Sequence, residues 1–179
     1  MKDHERLETI FNHYGAKDFR WIDPRDIVTA QWVREKCRFG CKNYGKHACC
    51  PPNVPSVPEC KQFFSEYENG VIFHFTAAFE NPDDRHAWSR EMNQSLLCVE
   101  REVFLQGYQK TFLLPMSPCG LCEKCAGVRE ECKNPNSARP TPEGMAIDVY
   151  STVRRYGFPI EVLTDCTQEM NRYAFLLVE

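Results

Sequence analysis

The sequence predicts an α/β fold, with a mixed, largely parallel sheet flanked by helices and two cysteine-rich loops. Segments of helical periodicity alternate along the chain with short apolar segments. The predicted helices are long enough for the crossover connections that parallel strands require. The 179 residues are 42% hydrophobic, enough to bury one core, so we expect a single domain over residues 1–179.

The first two predicted helices each have a start, an apolar face and a stop. The first covers about residues 3–14, where apolar residues recur every three or four positions before Gly15. The second begins at Ser56, which has Glu59 three positions later, as in a capping box, and a proline in the first turn. It ends before Gly70.

A buried strand, a long helix and a second strand follow. Residues 71–79 are a short aromatic and β-branched run that begins after Gly70. An apolar stripe predicts a helix over about residues 84–107, and residues 111–114 predict the next strand. This strand leads directly to Cys119, and α/β proteins commonly place ligand sites at strand ends.

The C-terminal part predicts one more helix and two more strands. Thr141 can cap a helix that has Pro142 at its first position and that Gly157 terminates. The two strands are expected near residues 159–163 and 173–178. This last pair can add an antiparallel edge to the sheet.

The context of the cysteines predicts metal ligands rather than disulfides. No segment has the 18 or so apolar residues of a membrane span, and the charged start lacks the apolar region of a signal peptide. We therefore expect a cytoplasmic protein without membrane contact. A reducing cytosol disfavours stable disulfides, so eleven clustered cysteines indicate metal or redox sites.

Charge is distributed unevenly along the chain. Residues 31–50 contain five basic residues and one acidic residue, a charge of +4, which leaves −7 for the rest of a chain with net charge −3. Basic segments often bind nucleic acid. Their cations can instead stabilise a metal cluster held by cysteine thiolates, because such a cluster is negatively charged. An ordinary solvated loop is the third possibility, and nucleic acid is not the partner that we favour.

The downstream cysteine group has the spacing of an iron–sulfur site. Cys119, Cys122 and Cys125 form the C-x2-C-x2-C run that binds a cubane cluster in bacterial ferredoxins. Zinc sites more often use two separated pairs. Cys132 either completes this set or ligates another cluster, as in two-cluster ferredoxins. The spacing of Cys132 departs from the ferredoxin pattern. We favour the local assignment, in which Cys132 is the fourth ligand of the same cluster and all four cysteines lie in one loop over about residues 119–139.

The upstream group, in a loop over about residues 37–60, is less standard. It consists of Cys37, Cys41 and a third cysteine, which is either Cys49 or Cys50. We favour Cys50, because two prolines follow it and fix the backbone. Cys60 is either the fourth ligand or a buried small hydrophobe. If the fourth ligand is absent, one iron is open to a substrate as a Lewis acid.

Three sequence elements together resemble a family of predicted metal-binding proteins of bacteria and archaea whose function is unknown. They are the Cys-x3-Cys-x-Asn-Tyr-Gly-Lys segment that leads to Cys-Pro-Pro, the downstream cysteine run, and the Arg-Pro and Ile-Asp-Val elements of residues 139–149. The resemblance spans about residues 34–179. It implies metal or iron–sulfur binding by one small domain, frequently in anaerobes, and no established reaction. By position it supports Cys37, Cys41, Cys50, Cys119, Cys122, Cys125 and Cys132.

Other candidate residues have simpler interpretations. Cys98, in the long helix, and Cys166, in a turn, are expected to be structural or unpaired thiols. His47 is expected to face solvent. Arg139 either hydrogen-bonds a group near the second cluster or caps the following helix, and Tyr44 is expected to pack within its loop.

Three functional hypotheses follow. The favoured one is a protein with two [4Fe-4S] clusters, bound by Cys37, Cys41, Cys50, Cys60, Cys119, Cys122, Cys125 and Cys132, that exchanges electrons with a redox partner protein. The second is an enzyme with an open iron at Cys37, Cys41 and Cys50 that acts on a small substrate. The third is a zinc-stabilised binding module.

Overall fold

The computed structural model describes residues 2–165 and 167–179. In chain order the elements are α1 (Lys2–His13), β1 (Asp18–Ile22), a 3-10 helix (Pro24–Asp26), α2 (Gln31–Gly40), α3 (Val57–Ser65), β2 (Gly70–Ala77), α4 (Pro82–Leu105), β3 (Phe112–Leu114), α5 (Val149–Arg155) and β4 (Met170–Leu177). Within these residues, no helix combines the length and the apolar character that crossing a bilayer requires.

The four strands form one sheet in the order β1-β2-β4-β3, and every neighbouring pair is antiparallel. The prediction of a largely parallel sheet is therefore wrong. β2 and β3 are both antiparallel to β4, so they run in the same direction, as the crossover helix α4 between them requires. Strand β4 lies between them, so in the described part of the chain no two parallel strands are adjacent.

Both faces of the sheet are covered by helices. Val71 and Phe73 of β2 pack with residues of α1 and α4, including Phe11 and Val99, in one apolar cluster. The intervening Ile72 belongs to a second cluster on the opposite face, which includes residues of α3 and α5. Because β2 is buried on both sides along most of its length, its sequence is largely apolar rather than alternating. That pattern is typical of parallel strands, which explains the wrong prediction.

Helices α1, α3 and α4 and strands β2, β3 and β4 lie close to their predicted positions. At the start of α3, Ser56 and Glu59 form the predicted capping box, in which the Glu59 carboxylate accepts a hydrogen bond from the Ser56 backbone N–H at 2.8 Å. Two short elements, β1 and α2, were not predicted. Helix α2 has Ala30 at its N-cap and no side-chain cap, so its start carries no sequence signal.

The predictions for residues 141–163 are corrected in two places. Residues 141–147 form turns rather than the start of a helix, with the Met145 N–H bonded to the Thr141 carbonyl at 3.0 Å. Ala146 has a positive φ of 60°, which a continuous α-helix cannot include. Asp148 is the true N-cap of α5 and accepts a hydrogen bond from the Ser151 N–H. Residues 159–163 form no strand.

Candidate metal centre

Two loops and one helix end carry the cysteines of the candidate centre. Cys37 lies in the last turn of α2, and Cys41 caps that helix with its backbone N–H bonded to the Cys37 carbonyl at 3.3 Å. Cys49 and Cys50 lie in the loop between α2 and α3, and the downstream cysteines lie in the long loop after β3. All ten cysteines that the structure describes are free of disulfides.

The structure brings Cys37, Cys41 and Cys50 to one cavity of about 240 Å³, which we call the three-cysteine cavity. Its wall also includes the side chains of Glu143 and Arg172. Further lining comes from Tyr44, Met116 and Thr141. A larger groove, lined in part by α2, adjoins this cavity. Both spaces are lined by Cys37, Cys41, Met116, Glu143 and Arg172. Three thiols are thus gathered beside a space large enough for a small molecule.

The remaining five clustered cysteines line a second, small cavity of about 20 Å³, which we call the five-cysteine cavity. They are Cys49, Cys119, Cys122, Cys125 and Cys132. The placement of Cys132 agrees with the local assignment, although its role as a ligand stays a prediction. The sequence did not reveal that Cys49 lies here, because adjacent cysteines offer no spacing from which their directions can be read.

Hydrogen-bond donors surround the sulfur atoms of the five-cysteine cavity. The Ala48 N–H donates to Cys125 Sγ at 3.4 Å, and Asn134 Nδ2 donates to Cys122 Sγ at 3.0 Å. The Cys49 thiol donates to Cys119, which lowers the pKa of Cys119 and raises that of Cys49. Donors of this kind stabilise a thiolate, the form in which cysteine binds metals.

The thiols of the three-cysteine cavity are less favourably placed to ionise. Burial raises the pKa of Cys50 to about 11, with a further contribution from the nearby Cys41. Burial also raises the pKa of Cys37, followed by the effect of Cys41. A bound metal would reverse this preference, because ligation replaces the proton with a cation.

Cys60 lies in neither cavity. Its side chain is fully buried in the core cluster on one face of the sheet, together with Phe64 and Ile72. Its Sγ is 3.5 Å from the Pro55 carbonyl oxygen and 3.9 Å from Arg34 Nη2. The structure therefore does not bring Cys60 to the other three upstream cysteines, and its role as a fourth ligand stays a prediction.

Cys98 is exposed on α4, away from both cavities. Cys166 lies outside the described residues, and so does the prediction made for it.

His47, which was expected to face solvent, is partly exposed and also lines the five-cysteine cavity. Its Nδ1 atom is buried and has no hydrogen-bond partner among the residues that the structure describes. A buried ring nitrogen normally has a partner. An unpartnered one beside five sulfur atoms fits a cavity that holds a further group.

Two polar side chains hold the cysteine loops in place. Asn53 Nδ2 donates to the His47 carbonyl at 3.1 Å and to the Gly127 carbonyl at 2.7 Å, and so joins the two loops. Arg34 Nη2 donates to the Pro55 carbonyl at 2.9 Å and to the Gly144 carbonyl at 3.1 Å. This arginine of the basic segment therefore ties α2 to the loops beside it.

Arg139 holds the end of the downstream loop against the core. Its Nε atom donates to Glu100 Oε1 at 2.8 Å, and the same carboxylate oxygen accepts the Leu113 N–H at 2.8 Å. The backbone of Arg139 also forms a hydrogen bond with Cys119. Arg139 thus contacts the downstream cysteines through its backbone, whereas its side chain pairs with the Glu100 carboxylate.

The donor chemistry of both cavities fits iron–sulfur clusters. Each cavity is lined by three or more cysteines. In the five-cysteine cavity, N–H groups also donate to two of the sulfur atoms. Within residues 2–165 and 167–179, no group of three or more His, Cys, Asp or Glu residues is arranged to hold a metal ion as it stands. The fit therefore concerns the kind and number of donors, not a coordination geometry.

Comparison with known proteins gives one match. The sequence model of a family described as "Predicted metal-binding protein (DUF2284)" matches residues 20–178. No curated protein and no solved structure matches the chain.

Proposed function

The chain belongs to the DUF2284 family of predicted metal-binding proteins, and we propose that it is an iron–sulfur protein that binds two [4Fe-4S] clusters and transfers electrons to a partner protein. In this proposal Cys37, Cys41 and Cys50 hold one cluster, and cysteines of the five-cysteine cavity hold the other. Bound clusters would supply one-electron chemistry at potentials set by their surroundings.

One observation carries this proposal: eight cysteines line two separate cavities. The two cavities are close together, since the consecutive residues Cys49 and Cys50 line one each. Electrons could therefore pass between two neighbouring sites. The absence of disulfides among the described cysteines supports a reducing compartment, and we retain the cytoplasm as part of the proposal.

The surface beside the three-cysteine cavity supports docking of a redox partner there. Cys41 is exposed, and Phe39 on the same helix is 80% exposed. Arg38 lies over the Phe39 ring at 5.2 Å, and Lys36 lies over the Trp32 ring at 5.5 Å. An exposed apolar patch with basic neighbours suits a partner with an acidic surface.

A second candidate function is catalysis in the three-cysteine cavity. Among the described residues, the cysteines that line this cavity number three, one fewer than the four irons of a [4Fe-4S] cluster. The same cavity is lined by the charged residues Arg172 and Glu143, which could contact a substrate. A [4Fe-4S] cluster held by three cysteines would have one iron available as a Lewis acid. The side chains of the cavity would then bind and orient a substrate.

The proposal is tested by anaerobic purification, followed by analysis of iron, sulfide and zinc and by spectroscopy of the oxidised and reduced protein. We expect about eight iron atoms per chain and absorbance typical of iron–sulfur clusters. A Cys37→Ser variant should lose about half of the iron, whereas the exposed Cys98→Ser control should lose none. A colourless protein that contains zinc would instead support a zinc-stabilised module.

A further inference from the structure

We propose that Arg172 makes the three-cysteine cavity a binding site for the carboxylate of a small organic monoanion. This inference rests on the second candidate function, because it names the class of substrate for that cavity. It is carried by the position of Arg172, by the absence of a hydrogen-bond partner for its side chain among the described residues, and by the charges around it.

Arg172 lies on β4, opposite Phe75 of β2, and its side chain lines both the three-cysteine cavity and the adjoining groove. The residue is only partly exposed. Across the part of the chain that the structure describes, its guanidinium donates no hydrogen bond and lies within 4 Å of no carboxylate. By contrast, the partly buried Arg139 is paired with Glu100 at 2.8 Å.

A guanidinium that is partly withdrawn from water gains from a hydrogen-bonding partner, because burial weakens the hydration of its charge. Burial accordingly lowers the pKa of Arg172, although Glu143 partly opposes this effect. Guanidinium groups bind planar carboxylates through two parallel hydrogen bonds. A carboxylate in the cavity would therefore supply the partner that the protein itself does not.

The surrounding charges favour a monoanion. Glu143 lines the same cavity and would repel a second negative charge on the ligand. Three cysteine ligands with their cluster would add further negative charge. Arg85 also acts on Arg172, but it does not line the cavity. The larger groove that adjoins this cavity offers room for a ligand beside the cluster, and Met116, which lines both, adds an apolar surface for the rest of the ligand.

The test is calorimetric titration of the anaerobically purified protein with acetate, benzoate and phosphate. We expect both carboxylates to bind in about the millimolar range, and phosphate to bind more weakly. Arg172→Gln should weaken carboxylate binding at least about tenfold. Glu143→Gln, which removes the repelling charge from an exposed side chain, should strengthen it severalfold. Arg101→Gln, an exposed control on α4, should change neither affinity.

Three results would overturn the inference: no carboxylate binding to the parent protein, carboxylate binding that Arg172→Gln leaves unchanged, or tighter binding of phosphate than of carboxylates. If Arg172→Gln does not fold, the sign of the Glu143→Gln effect decides, and weaker or unchanged binding contradicts the inference. Iron content is measured in the same samples. Carboxylate binding without iron would reject the clusters and retain the anion site, whereas iron without carboxylate binding would do the reverse.

Discussion

Cys49 and Cys50 are consecutive residues whose side chains line different cavities. Cys50 joins Cys37 and Cys41, whereas Cys49 donates a hydrogen bond to Cys119 in the other cavity. The two residues therefore connect the candidate cluster sites through a single peptide bond. From the sequence either could fill the same position in the upstream group, but the structure gives each a different set of neighbours.

This division predicts different effects for two adjacent substitutions. Cys50→Ser leaves only Cys37 and Cys41 at the three-cysteine cavity and should reduce the iron content by about half. Cys49→Ser leaves four cysteines in the five-cysteine cavity and should retain nearly all of the iron. Iron and sulfide analysis of both variants after anaerobic purification checks this. Equal iron loss in the two variants would contradict the assignment.

Cys60 provides a test of whether a fourth cysteine belongs to the upstream site. Because its side chain is fully buried in the core, Cys60→Ala should retain the full iron content and lower the free energy of unfolding by about 1 kcal/mol. Cys98→Ala on the exposed surface of α4 should change neither quantity. Loss of half of the iron from Cys60→Ala would instead make Cys60 a ligand.

The order of helices and strands could largely be predicted, but the pairing of the strands could not. Periodicity and capping signals are local, and they located α1, α3, α4 and β2. Insertion of β4 between β2 and β3 is a long-range event, and a strand buried on both faces has the same sequence pattern in either kind of sheet. The apolar run of residues 71–79 was thus located correctly but placed in the wrong kind of sheet.

The cysteine spacing predicted which residues would gather, except for Cys49, which lines the other cavity, and Cys60, which is buried in the core. The directions of Cys49 and Cys50 depend on the fold of the loop between α2 and α3. Arg172 could not have been found, because nothing in the sequence of β4 distinguishes it from an ordinary surface arginine. It lies on the central strand β4, beyond the residues 175–177 that pair with β3, and lines the cavity there.

The ion pair of Arg139 with Glu100 should contribute strongly to stability. Glu100 is buried and also accepts the Leu113 N–H, so Arg139→Met would leave a buried carboxylate without its cation. We expect the free energy of unfolding to fall by about 3 kcal/mol. Arg101→Met, which disrupts the exposed pair of Arg101 with Glu102 on the same helix, should cost about 0.5 kcal/mol or less. Denaturant unfolding of both variants checks this, and equal losses would contradict it.

Asn134 should tune the potential of the cluster in the five-cysteine cavity. Its Nδ2 atom donates to Cys122 Sγ at 3.0 Å, and hydrogen bonds to sulfur favour the reduced, more negative cluster. Asn134→Ala should therefore lower the reduction potential of one cluster by tens of millivolts. The exposed Asn136 of the same loop provides the control, Asn136→Ala. An unchanged potential in a redox titration of Asn134→Ala would show that the hydrogen bond has no such role.

The central claim is that eight cysteines in two cavities hold two iron–sulfur clusters. Its most direct test is the quantification of iron and acid-labile sulfide per chain in anaerobically purified protein. The account predicts about eight of each, with about half of both lost in Cys50→Ser. Protein that contains stoichiometric zinc, or that contains neither iron nor sulfide after anaerobic purification and reconstitution, would contradict it.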